Sequence, residues 1–169
     1  MIIAISGIST TGKSTVARAL AKKLKYKLVD LHALAEKINA FIGYDRERKS
    51  KIVSVYRLKK EIEKMKKKWP NMIIEGIFAH EFPADICIIL RCRPDVLEKR
   101  LKKRFNWPTK IYENLLIEME GTITKEALYY NKNVFEIDVT SKSTKQIVKD
   151  VESILGGKGN MFRAGKIKW

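Results

Sequence analysis

The octapeptide Gly7-Ile8-Ser9-Thr10-Thr11-Gly12-Lys13-Ser14 fits the pattern G-x-x-x-x-G-K-[ST], and its flanks narrow the fold further. Met1-Ile2-Ile3-Ala4-Ile5 before it has the length and β-branching of a buried strand. After it, Val16, Leu20 and Leu24 recur at helical spacing. Strand, glycine loop and amphipathic helix, in that order, form the setting in which the pattern carries chemistry. Gly7 and Gly12 permit backbone turns closed to residues with a Cβ. Such turns aim successive N–H groups into one concave nest at the positive end of the helix dipole. Thr10 and Thr15 belong to the same nest. Lys13 supplies a point charge for β- and γ-phosphates, and the Ser14 hydroxyl can ligate Mg²⁺. The expected ligand is a nucleoside triphosphate; the bland alternative is an accidental Gly-Lys-Ser turn.

Down the chain, strand-like and helix-like segments alternate. Tyr26–Asp30 reads as a second strand, Met72–Ile74 as a third ending at Glu75, Ile86–Leu90 as a fourth ending at Arg91, and Val134–Asp138 as a fifth. Between them the spacing predicts helices over Leu31–Phe41, Val55–Lys68, Asp95–Lys103, about Lys110–Tyr130 and about Ser143–Leu155, with a charged loop at Arg46–Lys51. The third and fourth strands are continuous apolar runs, as in parallel strands covered on both faces. The expected class is therefore α/β: a three-layer phosphate-loop fold with a five-stranded parallel sheet and right-handed crossovers. Ligands in such sheets sit beyond the carboxyl ends of the strands, where Asp30, Glu75 and Arg91 join the loop.

Composition limits the remaining classes. A chain of 169 residues suits one domain. The N-terminal apolar run is too short for a signal peptide or a membrane span. Cys87 and Cys92 offer neither metal spacing nor a disulfide framework, which points to a reducing, cytoplasmic setting without membrane association. The net charge of +16 suits a polyanionic partner, although nucleotide sites and solvated helix faces also collect lysine.

Glu75 closes a strand where an acid would hold Mg²⁺ through a water and orient an attacking water; the alternative is an acid that caps the next loop. Arg104 ends a predicted helix from which it could swing over a γ-phosphate; the alternative is a solvated arginine beside Lys102 and Lys103. Trp107 suits either a base face or lid packing. His32 and His80 show no ligand or triad spacing.

With these pieces placed, the chain resembles small nucleoside-monophosphate kinases. More narrowly it is similar to the atypical adenylate kinase family of archaea and eukaryotic nuclei, the coilin-interacting nuclear ATPase group. Beyond the phosphate loop the resemblance rests on Gly43-Tyr44-Asp45, Arg57, Glu75, the strand Ile86–Leu90 with Arg91, and Lys110-Ile111-x-Glu113-Asn114. It implies a kinase domain over residues 1–155, with a monophosphate-binding region at about 30–54, a lid at about 104–114, and a basic tail over 156–169. It implies ATP and Mg²⁺ as cofactors, with Lys13, Arg104 and Glu75 catalytic, and Ser14 and Glu75 at the metal. Asp30, Tyr44, Arg57 and Arg91 would hold a nucleoside monophosphate, and the backbone at Asp138–Ser141 would lie near adenine.

The implied activities are phosphoryl transfer between ATP and a monophosphate, and ATP hydrolysis. The implied setting is late maturation of the small ribosomal subunit, beside a ribosomal protein and ribosomal RNA; the sequence leaves the oligomeric state open, a monomer being favoured. The chain departs from the family pattern at Ile77, where a histidine is usual unless His80 substitutes, at Glu36 in place of an arginine, and at Ser54 in place of an acid. A rival expectation is an assembly factor driven by an ATPase switch, with vestigial kinase turnover. A third is a kinase for another small acceptor.

Overall fold

The computed structural model describes residues 1–47 and 49–169; Arg48, in the predicted charged loop, lies outside the described residues. Five strands form one parallel sheet: β1 (Ile2–Gly7), β2 (Lys27–Asp30), β5 (Met72–Glu75), β6 (Ile86–Arg91) and β7 (Val134–Asp138), in spatial order β2-β5-β1-β6-β7. The strands β3 (Phe41–Asp45) and β4 (Ser50–Val53) pair separately as an antiparallel hairpin. The helices are α1 (Lys13–Leu24), α2 (Leu31–Lys37), α3 (Val55–Lys68), α4 (Pro94–Arg104), α5 (Pro108–Met119), α6 (Thr122–Tyr130) and α7 (Thr144–Leu155). They cover both faces of the sheet, the expected α/β architecture.

Every residue of β1 and β5 is buried, as their unbroken apolar runs require of central strands. Helix α1 turns Val16, Ala17, Leu20 and Ala21 inward, and α4 turns in Leu97 and Leu101 at the expected spacing. Local chemistry sets the helix starts. Asp30 caps α2 by accepting from the N–H groups of His32 and Ala33, Ser54 accepts from Arg57 N–H at the start of α3, and Ser143 and Gln146 form a capping box on α7.

Three segments depart from the expectation. The second helix stops at Lys37 rather than Phe41, because Asn39 takes a left-handed conformation (φ 52°) and the chain turns back into the hairpin. Of the predicted charged loop, Ser50 and Lys51 thereby belong to the return strand of that hairpin. The predicted long helix over 110–130 is two helices, parted at Gly121, whose φ of 65° ends a helix at little cost. The basic tail is ordered against the outer edge of β7: Arg163 bridges Phe135 antiparallel, and Ala164 N–H donates to the carbonyl of Val134 at 3.2 Å. An edge strand is thus covered. No helix among the described residues is long and apolar enough to cross a membrane.

Candidate active site

The loop between β1 and α1 has the shape that its glycines imply. Gly7 and Gly12 have φ of 141° and 89°, and Thr10 between them has φ of 68°. A Cβ on Gly7 would stand 2.5 Å from the carbonyl oxygen of Leu90 in the neighbouring strand. A Cβ on Gly12 would meet nothing within 4 Å, so here the backbone faces open space. Helix α1 begins without a side-chain cap, and its first N–H groups point out of the helix without a partner from the capping residue.

Lys13 arches back over this loop, its Nζ donating to the carbonyl of Ile8 at 2.9 Å. Burial lowers its pKa to about 8, the Glu75 carboxylate opposes that shift, and the Arg104 guanidinium adds to it. Arg104 at the end of α4 is therefore near enough for its charge to be felt at Lys13. Arg104 is exposed at the end of α4, with its guanidinium 5.5 Å from the Phe105 ring centroid.

Glu75 ends β5 beside Ile5 of β1 and Asp30 of β2. It is buried, and burial raises its pKa; Asp30 adds to the rise, while a hydrogen bond with Ser14 and the charges of Lys13 and Arg18 oppose it. The pair Ser14 and Glu75, expected at a metal, is thus brought together. Arg18, one helical turn beyond Ser14, also faces this carboxylate and was not singled out by sequence reasoning.

The fit to a polyphosphate rests on three features: the uncapped start of α1, a lysine whose ammonium is destabilised by burial, and a buried Thr10 hydroxyl without a hydrogen-bond partner among the described residues. Each gains a partner from an anion seated in the loop. For Mg²⁺, no cluster of three or more His, Cys, Asp and Glu side chains occurs among the described residues. Ser14 and Glu75 therefore suit an ion that keeps waters and takes its other ligands from phosphate.

The expected acceptor residues divide. Asp30 is spent partly on capping α2. Tyr44 stands 58% exposed on β3, and Arg57 donates to the carbonyl of Asn39 at 3.0 Å. The Lys49 ammonium lies 4.9 Å from the ring centroid of Trp107, so the hairpin meets the connection between α4 and α5. Near Asp138–Ser141, Arg100 donates to the carbonyls of Val139 and Thr140.

Arg91 is the correction. Sequence reasoning assigns it to a monophosphate, yet it is only 3% exposed. Its Nε donates to Glu118 at 2.6 Å, its Nη1 to Glu136 at 2.5 Å and to Thr124, and its Nη2 to the carbonyl of Glu118. The tail closes over the group: Trp169 Nε1 donates to Glu118 at 2.9 Å, and Gly165 N–H to Glu136 at 2.8 Å. The guanidinium is committed to the protein's own carboxylates.

His80 does not stand in for the histidine absent at Ile77. It is buried in a short 3₁₀ turn (Ala79–Glu81), with one ring nitrogen against Ser6 and the other against Glu126. The row Ser6, His80, Glu126 has the residue types of a hydrolase triad, but Ser6 is fully enclosed and cannot meet a substrate. Both cysteines are buried free thiols, and burial pushes Cys87 up to about 12.

A family profile described as an AAA domain matches residues 3–121. A Pyrococcus furiosus protein named "Putative adenylate kinase" is 37% identical over all of this chain and 91% of its own length. An Archaeoglobus fulgidus protein of the same name is also 37% identical, over all of this chain and 92% of its own. Among solved structures, a deoxyadenosine kinase from M. mycoides superposes with a TM-score of 0.61 at 18% identity, covering 93% of this chain and 100% of that one.

Proposed function

Because the chain belongs to the phosphate-loop family of these archaeal adenylate kinase relatives, we propose that it is a phosphotransferase moving a phosphoryl group from ATP to a nucleoside monophosphate. The observation that carries this reading is the Lys13 ammonium folded over the glycine loop, 2.9 Å from the Ile8 carbonyl, at the uncapped start of α1. Phosphoryl transfer needs little more from a protein than placement and charge.

Lys13 and the free N–H groups of α1 would hold the β- and γ-phosphates, with Thr10 and Thr15 completing the nest. Arg104 would neutralise charge on the equatorial oxygens. Ser14 and Glu75 would hold Mg²⁺, which when bound shields the phosphate charge. Asp30, Tyr44 and Arg57 would form the acceptor side, without Arg91.

A coupled assay with AMP, CMP and dAMP tests the proposal. ADP formed in proportion to acceptor, over any basal hydrolysis, is the expected result; phosphate release with no acceptor-dependent ADP would replace it with the ATPase reading. Hydrolysis of ATP and a place in small-subunit maturation belong to the same proposal in its finer form. Ile77 favours the ATPase switch over fast kinase turnover. The lysine-rich outer face of α3 supports a ribosomal RNA neighbour.

A further inference from the structure

Behind the phosphate loop lies a buried chain of polar groups that the reaction above does not use. The Ser6 hydroxyl, immediately before Gly7, donates to the carbonyl of Ile77 at 2.8 Å. The same oxygen is 2.9 Å from His80 Nδ1. A hydroxyl has one proton to give. Since Ser6 gives it to Ile77, the proton between Ser6 and the ring belongs to Nδ1, and His80 is the donor. On the ring's other side Nε2 lies 3.0 Å from the Glu126 carboxylate, and the His80 carbonyl accepts from Asn131 Nδ2 at 2.6 Å. Ring and backbone are thus both fixed.

The two residues at the centre of this chain belong to the two halves of the site. Ser6 joins β1 to the glycine loop. Ile77 follows Glu75 and Gly76, and Gly76 N–H donates to the Ile5 carbonyl at 3.3 Å. We propose that His80 is a positioning residue. By donating to Ser6 it keeps the hydroxyl turned toward Ile77, and this bond ties the start of the phosphate loop to the turn that follows Glu75 at the end of β5. An apolar side chain would fill the same volume without the cost of burying an imidazole, so the polar bonds are what the ring contributes. The inference rests on the phosphotransfer reading of the loop.

Three variants and one spectrum test it. His80→Phe should lower kcat roughly 10- to 100-fold while KM for Mg-ATP stays within about threefold, because geometry is lost and binding is not. His80→Asn, which keeps an amide donor facing Ser6, should recover most of kcat. Ser6→Ala deletes a single oxygen and should reproduce the loss even where His80→Phe fails to fold. In the nucleotide-free parent, a long-range ¹H–¹⁵N imidazole spectrum should show a proton on His80 Nδ1; the chain has 2 histidines, so the assignment is tractable. An unprotonated Nδ1, a His80→Asn variant as slow as His80→Phe, or a Ser6→Ala kcat within about twofold of the parent would overturn the inference. A parent that binds no Mg-ATP overturns the phosphotransfer reading and this inference together. Normal parent turnover with a silent Ser6→Ala overturns this inference alone.

Discussion

The Lys13 ammonium and the Ile8 carbonyl oxygen are joined at 2.9 Å, across the loop that separates them in sequence. The Thr11 hydroxyl donates to the same oxygen at 2.8 Å. The loop is therefore shaped by its own side chains before any anion arrives, and this prior order lowers the entropic cost of binding.

Removing that ammonium should disable the enzyme and spare the fold. Lys13→Ala is expected to lose about 3–4 kcal/mol of transition-state stabilisation, as when one preorganised donor is deleted. Turnover in the coupled assay at neutral pH, with circular dichroism as the folding control, checks this. Unimpaired turnover would end the assignment of Lys13.

The lowered pKa of Lys13 has two pH consequences of opposite sign. Between about 8 and the ordinary value of 10.5 the unfolded chain holds more protons at this position than the folded one. The nucleotide-free protein should therefore gain stability from this group as pH rises through that window. Mg-ATP affinity should move the other way, full below about pH 8 and falling above it as the ammonium is lost. Calorimetric titration across this range, with Lys13→Arg as a variant that stays charged, separates the two effects; a flat parent profile would contradict the prediction.

The two glycines of the loop should respond differently to alanine. Gly7→Ala adds a Cβ 2.5 Å from the Leu90 carbonyl oxygen and is expected to fold poorly. Gly12→Ala meets no neighbour within 4 Å, so it carries only the left-handed backbone penalty, about 1–2 kcal/mol. It should fold and bind Mg-ATP weakly. Chemical denaturation beside nucleotide titration resolves the pair.

Arg91→Ala should act on stability rather than on acceptor binding. It leaves the buried carboxylates of Glu118 and Glu136 without their cation, a loss of roughly 3–5 kcal/mol for a broken buried pair. Denaturation midpoints should fall, while KM for the monophosphate in the folded fraction stays near that of the parent. A selective rise in that KM would restore the substrate role.

The ribosomal RNA reading makes an ionic-strength prediction. If Lys59, Lys60, Lys66, Lys67 and Lys68 meet phosphates, affinity should fall with log salt at a slope near −0.7 to −0.9 per contact, by order of magnitude. Filter binding between low and physiological salt measures it, and a flat response would leave these lysines as ordinary surface.

What could be read in advance was whatever short-range pattern controls. The strands β1, β5 and β6 announce themselves as unbroken apolar runs because both faces are covered. The hairpin did not, because its residues are largely exposed or half-buried and give no apolar alternation. Gly121 was passed over because helical spacing continues on both sides of it, although a single left-handed residue redirects the chain. Arg91 was misassigned because a strand-end arginine looks the same whether it faces a ligand or its own protein; Glu118 and Glu136, which decide the matter, lie 27 and 45 residues away. Ser6 and His80 are separated by 74 residues, and no spacing rule joins them.

The meeting of Lys49 with Trp107 ties the hairpin to the stretch between α4 and α5. A cation over a half-buried ring is worth about 0.5–1 kcal/mol, little more than thermal energy. Such a clasp opens often and shuts often. On the proposed reading, which puts the acceptor beside the hairpin and Arg104 beside Trp107, whatever parts this contact frees both segments together.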